Sequence, residues 1–213
     1  MRVVRILALC ALFALVAVGP AVSVSAAPMP DAVASSMEAT QVIERFHGTL
    51  LGVMKDGDRL GYQGRYDTLS PVIARTFNMA QMAQMSVGPY WFKLDEPQRQ
   101  ALVESFTRLS VATYANRFDH FSGQSFRVNG EPQQRGEALL VSTELVREDG
   151  ETIPITYYMR HFDAGWQTID VFLKGAISEM ATRRSEYSSV LQRQGVDGLI
   201  KVIDDKAKSY AGA

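Results

Sequence analysis

The chain has 213 residues, with 22 Lys and Arg set against 23 Asp and Glu, for a formal net charge of -1. This balance argues against nucleic acid as the main partner, and against attachment to anionic lipid surfaces by charge. Any contact with lipid would have to rest on apolar burial.

The first 26 residues read as a secretory signal. Arg2 and Arg5 precede an uninterrupted apolar run from Ile6 to Val18, and Val24 and Ala26 supply small residues at the spacing of a signal-peptidase site. The run is too short for a membrane span. Cleavage is expected after Ala26, a retained anchor being the less favoured alternative, and the chain is expected to be exported. Cys10, the only cysteine, lies inside the run and follows Leu9 rather than a small residue, which argues against a lipoprotein signal. The 187 residues that remain of the 213 suit a single domain, 27–213, without disulfides. Loss of Arg2 and Arg5 leaves 20 basic against 23 acidic residues, a net charge of about -3.

Residues 31–55 carry Val33, Met37, Val42, Phe46, Leu50 and Val53 at helical spacing. The glycines of "GDRLGYQGRYD" are expected to break that helix. Ser70-Pro71 then reads as a new helix start, running through Ile73, Phe77, Met79, Met82 and Met85. Asp95 and Gln98 have capping-box spacing ahead of a helix whose apolar residues, from Leu102 to Phe121, cover more than one stripe.

The period then changes. "SFRV", "ALLVSTELV", "TIPITYYM" and "WQTIDVFL" are strand candidates joined by short turn-rich connectors, a pattern of antiparallel hairpins. Leu139, Val141, Thr143 and Leu145 share one face, as do Ile153, Ile155, Tyr157 and Met159. Helix returns after Gly175, stops at Gly195 and resumes around Leu199, Ile200 and Ile203. Helices, then strands, then helices predict an α+β fold: a curved antiparallel sheet of about four strands covered by helices.

Catalytic signatures are sparse. His47, His120 and His161 fall in different elements without metal spacing, and the His161-x-Asp163 pair reads as an ordinary turn. Asp170 within an apolar strand raises the thought of a carboxylate with a raised pKa. The plainer reading is that it faces solvent or accepts a bond from an arginine or a backbone N–H. Arg183 and Arg184, with Glu179 four residues before Arg183, look like an exposed helix face. No nucleophile elbow, phosphate loop or dinucleotide fingerprint is present, so an enzyme is disfavoured. The remaining enzyme reading is a small exported one acting on an apolar substrate through Asp170 or Tyr114. A third reading is a structural partner of an envelope transporter, without cargo.

What stands out is soft and apolar. The segment after the signal holds eight methionines, three of them, Met79, Met82 and Met85, spaced three apart. Flexible thioethers line surfaces that adapt to variable apolar partners. A sheet capped by helices can leave a cavity between its layers, and the walls are expected from Phe77 and Met82, from Leu102, Phe106, Leu109, Tyr114 and Phe118, and from Val141, Leu145, Ile155, Tyr157, Met159 and Val171. No catalytic or metal-binding residue and no cofactor is assigned.

The segment from Ser86 to Val128 resembles the MlaC-like periplasmic lipid-binding proteins, through Gly88, Trp91, Gln98, Arg99, Phe106, Tyr114 and Ala115 in order. A second set, Trp166, Asp170, Val171, Gly175, Leu191, Gly195, Asp197 and Leu199, extends the likeness across about residues 35 to 205, and the wording around Gly175 is similar to the hopanoid-associated HpnM branch. The resemblance implies a soluble carrier, located in the periplasm, that holds phospholipid or hopanoid hydrocarbon in a cavity. It also implies partners: an inner-membrane transporter of ABC or RND type and an acceptor at the outer membrane.

Overall fold

The computed structural model describes residues 30–211, so the expected signal segment and Cys10 lie outside the described residues. Helix α1 (Pro30–Lys55) buries Ala39, Ile43, Phe46, Leu50 and Val53, which recur at three and four residues and so form one stripe. Helix α2 (Gly57–Thr76) begins almost at once. The glycine-rich segment is therefore helical rather than a break, kinked only at Gly61, where φ 60° and ψ -176° suit a residue without a Cβ.

Pro71 lies inside α2 and does not start a helix. It is tolerated because it and Asp67, whose carbonyl loses its partner, both sit on the exposed side. The chain leaves helical geometry at Phe77 instead (φ -118°, ψ 136°), which bridges to Thr168 of the sheet. Asn78 N–H donates to the Thr168 carbonyl at 2.9 Å, while its side chain caps α3 (Met79–Val87) by accepting from Gln81 N–H at 2.9 Å. The methionine series thus rides on its own short helix, pinned to the sheet. A 3₁₀ segment, Gly88–Lys93, leads to α4 (Glu96–Arg117), where both halves of the Asp95–Gln98 capping box form. Helix α4 ends at Arg117, with Phe118 as its cap, short of the expected Phe121.

The sheet is antiparallel, with β1 (Ser125–Val128), β2 (Gln133–Arg135), β3 (Ala138–Val146), β4 (Thr152–Phe162), β5 (Gly165–Leu173) and β6 (Ile177–Ser178). The spatial order is β1-β3-β4-β5-β6, and β2 pairs with the other half of the β3 edge. The two strands beyond the expected four are three- and two-residue pieces of the connectors. One face is covered by helices; the other carries polar side chains such as Ser142 and Thr156 and the cross-strand Arg127–Glu144 ion pair.

A register shift lies between Tyr158 and Met159, so that Tyr158 opposes Asp170 while Met159 opposes Thr168, leaving Ile169 as the extra residue. Such a bulge re-phases a strand. Trp166 and Thr168 before it, and Val171 and Leu173 after it, therefore serve the same helix-covered face, which a strict alternation would deny. Helix α5 (Glu179–Ala211) closes the fold, with its predicted break at Gly195 (φ 67°, ψ -170°). Its second half docks on α4, where Asp204 accepts from Ser105 Oγ at 2.9 Å and pairs with Arg108 at 2.9 Å.

Candidate ligand cavity between sheet and helices

Between β4–β5 and the helices α3, α4 and α5 lies a cavity of about 150 Å³. Phe77, Met79 and Met82 enclose it from the α2–α3 junction, and Phe106, Ser110, Thr113, Tyr114, Arg117 and Phe118 from α4. The sheet contributes Phe126, Ile155, Tyr157, Val171 and Leu173; the first turns of α5 contribute Glu179, Met180 and Arg183. The α4 residues fall at steps of three and four from Phe106, so one face of that helix forms a whole wall.

Eight expected wall residues are brought together here: Phe77, Met82, Phe106, Tyr114, Phe118, Ile155, Tyr157 and Val171. Five are not. Leu102 lies a full turn before Phe106, beyond the end of the cavity, and Leu109 falls about a quarter turn off the centre of the α4 stripe. Both are sealed in helix–helix packing, as α4 touches α2 and α5. Val141 and Met159 are fully buried in the hydrophobic core of the helix-covered face, outside the lining of the cavity. Leu145 stands further out on β3, and its neighbour across the ladder, Phe126, is the side chain that reaches the cavity.

The residues that sequence reasoning missed are mostly polar. Ser110, Thr113 and Arg117 continue the Phe106 stripe at helical spacing, a signal available in the sequence but masked by their polarity. Glu179 and Arg183 were expected on an exposed face. Instead they turn toward the cavity, while Arg184 reaches the other way and donates Nε–H to the Met85 carbonyl at 3.0 Å.

An aromatic cluster backs the wall. Phe46 meets Phe77, Tyr114 and Tyr157 edge-on, with centroids 5.2, 5.4 and 6.4 Å apart. Burial pushes the Tyr114 phenol well above its ordinary range, with the Glu179 carboxylate adding to the shift and Arg117 opposing it. Burial, with Tyr114 nearby, does the same to Tyr157. Both phenols therefore hold their protons at neutral pH. Ser110 and Thr113 spend their hydroxyl hydrogens on the carbonyls of Phe106 and Leu109, at 2.8 and 2.7 Å.

Asp170 faces away from this space. Its carboxylate accepts from the Val171 and Met180 backbone N–H groups at 2.8 and 3.1 Å and from Ser178 Oγ at 2.5 Å, so it fastens the β5–α5 corner. This is the backbone-acceptor role that the plainer reading assigned it. His161 lies edge-on to Trp166 at 5.5 Å and His120 is exposed. Among the described residues, no group of three or more His, Cys, Asp and Glu could hold a metal ion, and no helix is long and apolar enough to cross a membrane.

Fold and site together define an α+β protein with an open antiparallel sheet, closed by helices over a mainly apolar cavity. The sequence matches the family described as MlaC protein over residues 44–205, about three quarters of its length, and the chain belongs to that family. Its fold is similar to that of the phospholipid-binding protein from Ralstonia solanacearum, solved in complex with a phospholipid. The TM-score is 0.70 at 18% identity, over 83% of this chain and 98% of that one. A comparison with curated proteins finds no match.

Proposed function

We propose that this chain is a periplasmic lipid carrier, which takes up the hydrocarbon of a phospholipid or hopanoid and shuttles it between an inner-membrane transporter of ABC or RND type and the outer membrane. The observation that carries this reading is the cavity, walled by Phe77, Met82, Phe106, Ile155 and Val171 with its polar groups gathered at the α4–α5 side. Membership of the MlaC family and the fold shared with a protein solved with phospholipid support it.

Burial of hydrocarbon supplies the affinity, at about 0.8 kcal/mol per CH₂ group. The cavity, at about 150 Å³, is small beside the roughly 300–1,000 Å³ of sites that enclose drug-sized ligands. Loading a two-chain lipid therefore requires the walls to part. Met79, Met82 and Met180 on two separate helices suit that, because unbranched thioethers repack at low cost. Binding without turnover fits the chemistry, since Asp170 is committed to three donors and the tyrosines keep their protons. A purely structural role is disfavoured by the volume left between the layers.

Native mass spectrometry of protein purified from cells with intact envelopes tests the reading. A folded protein carrying one lipid mass is the expected result. Repeated recovery without lipid, and failure to take up offered phospholipid or hopanoid, would overturn it.

A further inference from the structure

Three of the residues around the cavity are charged, Arg117, Glu179 and Arg183, and all three stand where the C-terminal end of α4 meets the start of α5. Among the described residues the Arg117 side chain makes no hydrogen bond or ion pair. Arg183 has one long ionic contact, 3.8 Å to Glu186, and its guanidinium lies beside the buried Tyr187 phenol one turn on. The Tyr114 hydroxyl, one turn before Arg117, also makes no hydrogen bond among the described residues. The cavity is thus graded along α4, from Phe106 through Ser110 and Tyr114 to Arg117. Two cations, exposed Arg117 and half-buried Arg183, border the end of an apolar hole with no carboxylate closer than 3.8 Å to either among the described residues, and Glu179 leaves that end with a net charge of +1.

Resting on the carrier reading above, we propose that Arg117 and Arg183 form a headgroup site for the monoanionic phosphodiester of a glycerophospholipid, whose chains point toward Phe106 and Met82. Guanidinium groups suit this target because their planar N–H forks donate to two phosphate oxygens at once. The count of charges matters too. A phosphodiester carries one negative charge and matches the net +1, whereas a doubly charged phosphate monoester would meet Glu179 with its charge half unbalanced. Tyr114 donates its unshared hydroxyl hydrogen one turn deeper, at the level of the acyl ester carbonyls. A neutral diacylglycerol keeps the ester carbonyls that Tyr114 meets but offers the two arginines no charge, so they discriminate by headgroup where the apolar walls cannot. Arg117 also faces the dipole of its helix end, a role that stabilises the fold whether or not lipid binds.

The test is a competition. Delipidated full-length protein is offered detergent micelles holding equal amounts of dioleoyl phosphatidylglycerol and dioleoylglycerol, which share their chains, and the bound lipids are weighed by native mass spectrometry. The wild type is expected to favour the phospholipid by about tenfold, the effect of one to two exposed charge-assisted hydrogen bonds. In R117Q/R183Q the ratio is expected to collapse toward one, and in R117K/R183K to recover in part. Circular dichroism confirms that each variant is folded, and the lysine pair keeps the test available if the glutamine pair is not. A ratio unchanged in the folded glutamine variant, or a wild type without preference, overturns the headgroup site while leaving the carrier reading in place. A wild type that binds neither lipid overturns both. Chainless glycerophosphoglycerol in excess separates a lipid site from a free phosphate site: it should fail to displace the phospholipid, and displacement would overturn the proposal.

Discussion

His47 Nε2, on α1, lies 3.0 Å from the phenolic oxygen of Tyr157, on β4, and this bond ties the helical layer to the sheet beside the cavity. The imidazole also stacks on Phe126 at 4.1 Å, and only 4% of the residue is exposed. Burial lowers the His47 pKa from 6.5 to about 4. Between those values the unfolded chain binds a proton that the folded chain refuses. The contribution is fully present above pH 6.5 and is lost as pH falls toward 4, by about 3 kcal/mol in all. Urea unfolding of wild type and His47→Phe at pH 7.5 and pH 4 should show the stability gap moving by that amount in favour of the variant at acid pH. A gap independent of pH would contradict the buried neutral imidazole.

Asp170 is expected to matter for folding and not for chemistry. Replacing it with Ala strands the Val171 and Met180 N–H groups and the Ser178 hydroxyl inside the β5–α5 corner, at about 1–3 kcal/mol for each donor left unsatisfied. Thermal unfolding followed by circular dichroism should show a clear loss. A variant as stable as the wild type would mean that the corner does not depend on these bonds.

Gly57 abuts a turn so closely that a Cβ would sit 1.8 Å from the Asp119 carbonyl oxygen, a backbone atom that cannot step aside cheaply. Gly57→Ala should cost about 1–3 kcal/mol or more, and each kcal/mol lowers the melting temperature by about 2–4 °C for a chain of this size. An unchanged melting temperature would show that the α1–α2 corner is more compliant than its packing suggests.

Leu102 separates core from cavity. It is fully buried among helices but touches no part of the hole. Leu102→Ala should therefore cost about 2–5 kcal/mol in stability while leaving the lipid carried per folded molecule as in the wild type. Loss of lipid from a folded Leu102→Ala protein would restore the leucine to the binding wall.

Much of the fold was legible in the sequence because its elements announce themselves locally. The Asp95–Gln98 box, the Gly195 break and the change from helical to alternating period each depend on neighbours within a few residues. Failures came where a distant partner decides. Pro71 reads locally as a helix start, yet the chain stays helical through it and breaks at Phe77, where Thr168 offers a bridge. Alternation in β5 could not reveal the bulge that sets Trp166 and Val171 on one face, since a bulge is a property of two strands. Hydrophobicity does not separate cavity lining from core: Val141 and Met159 are as apolar as Ile155, yet they are sealed in the core while Ile155 borders the hole. Hydrophobicity also hid Arg117 and Arg183, whose placement depends on how α4 and α5 meet.

Whether the cavity is where lipid resides is tested most directly by filling it. Val171 lines the hole on the sheet side, so Val171→Trp places an indole in the space that a lipid chain would occupy. Wild-type and variant proteins are purified in parallel, checked for folding, extracted with organic solvent and their lipid-to-protein ratios measured by mass spectrometry. The wild type should carry about one lipid per folded molecule and the filled variant close to none. Equal lipid in both would contradict the account.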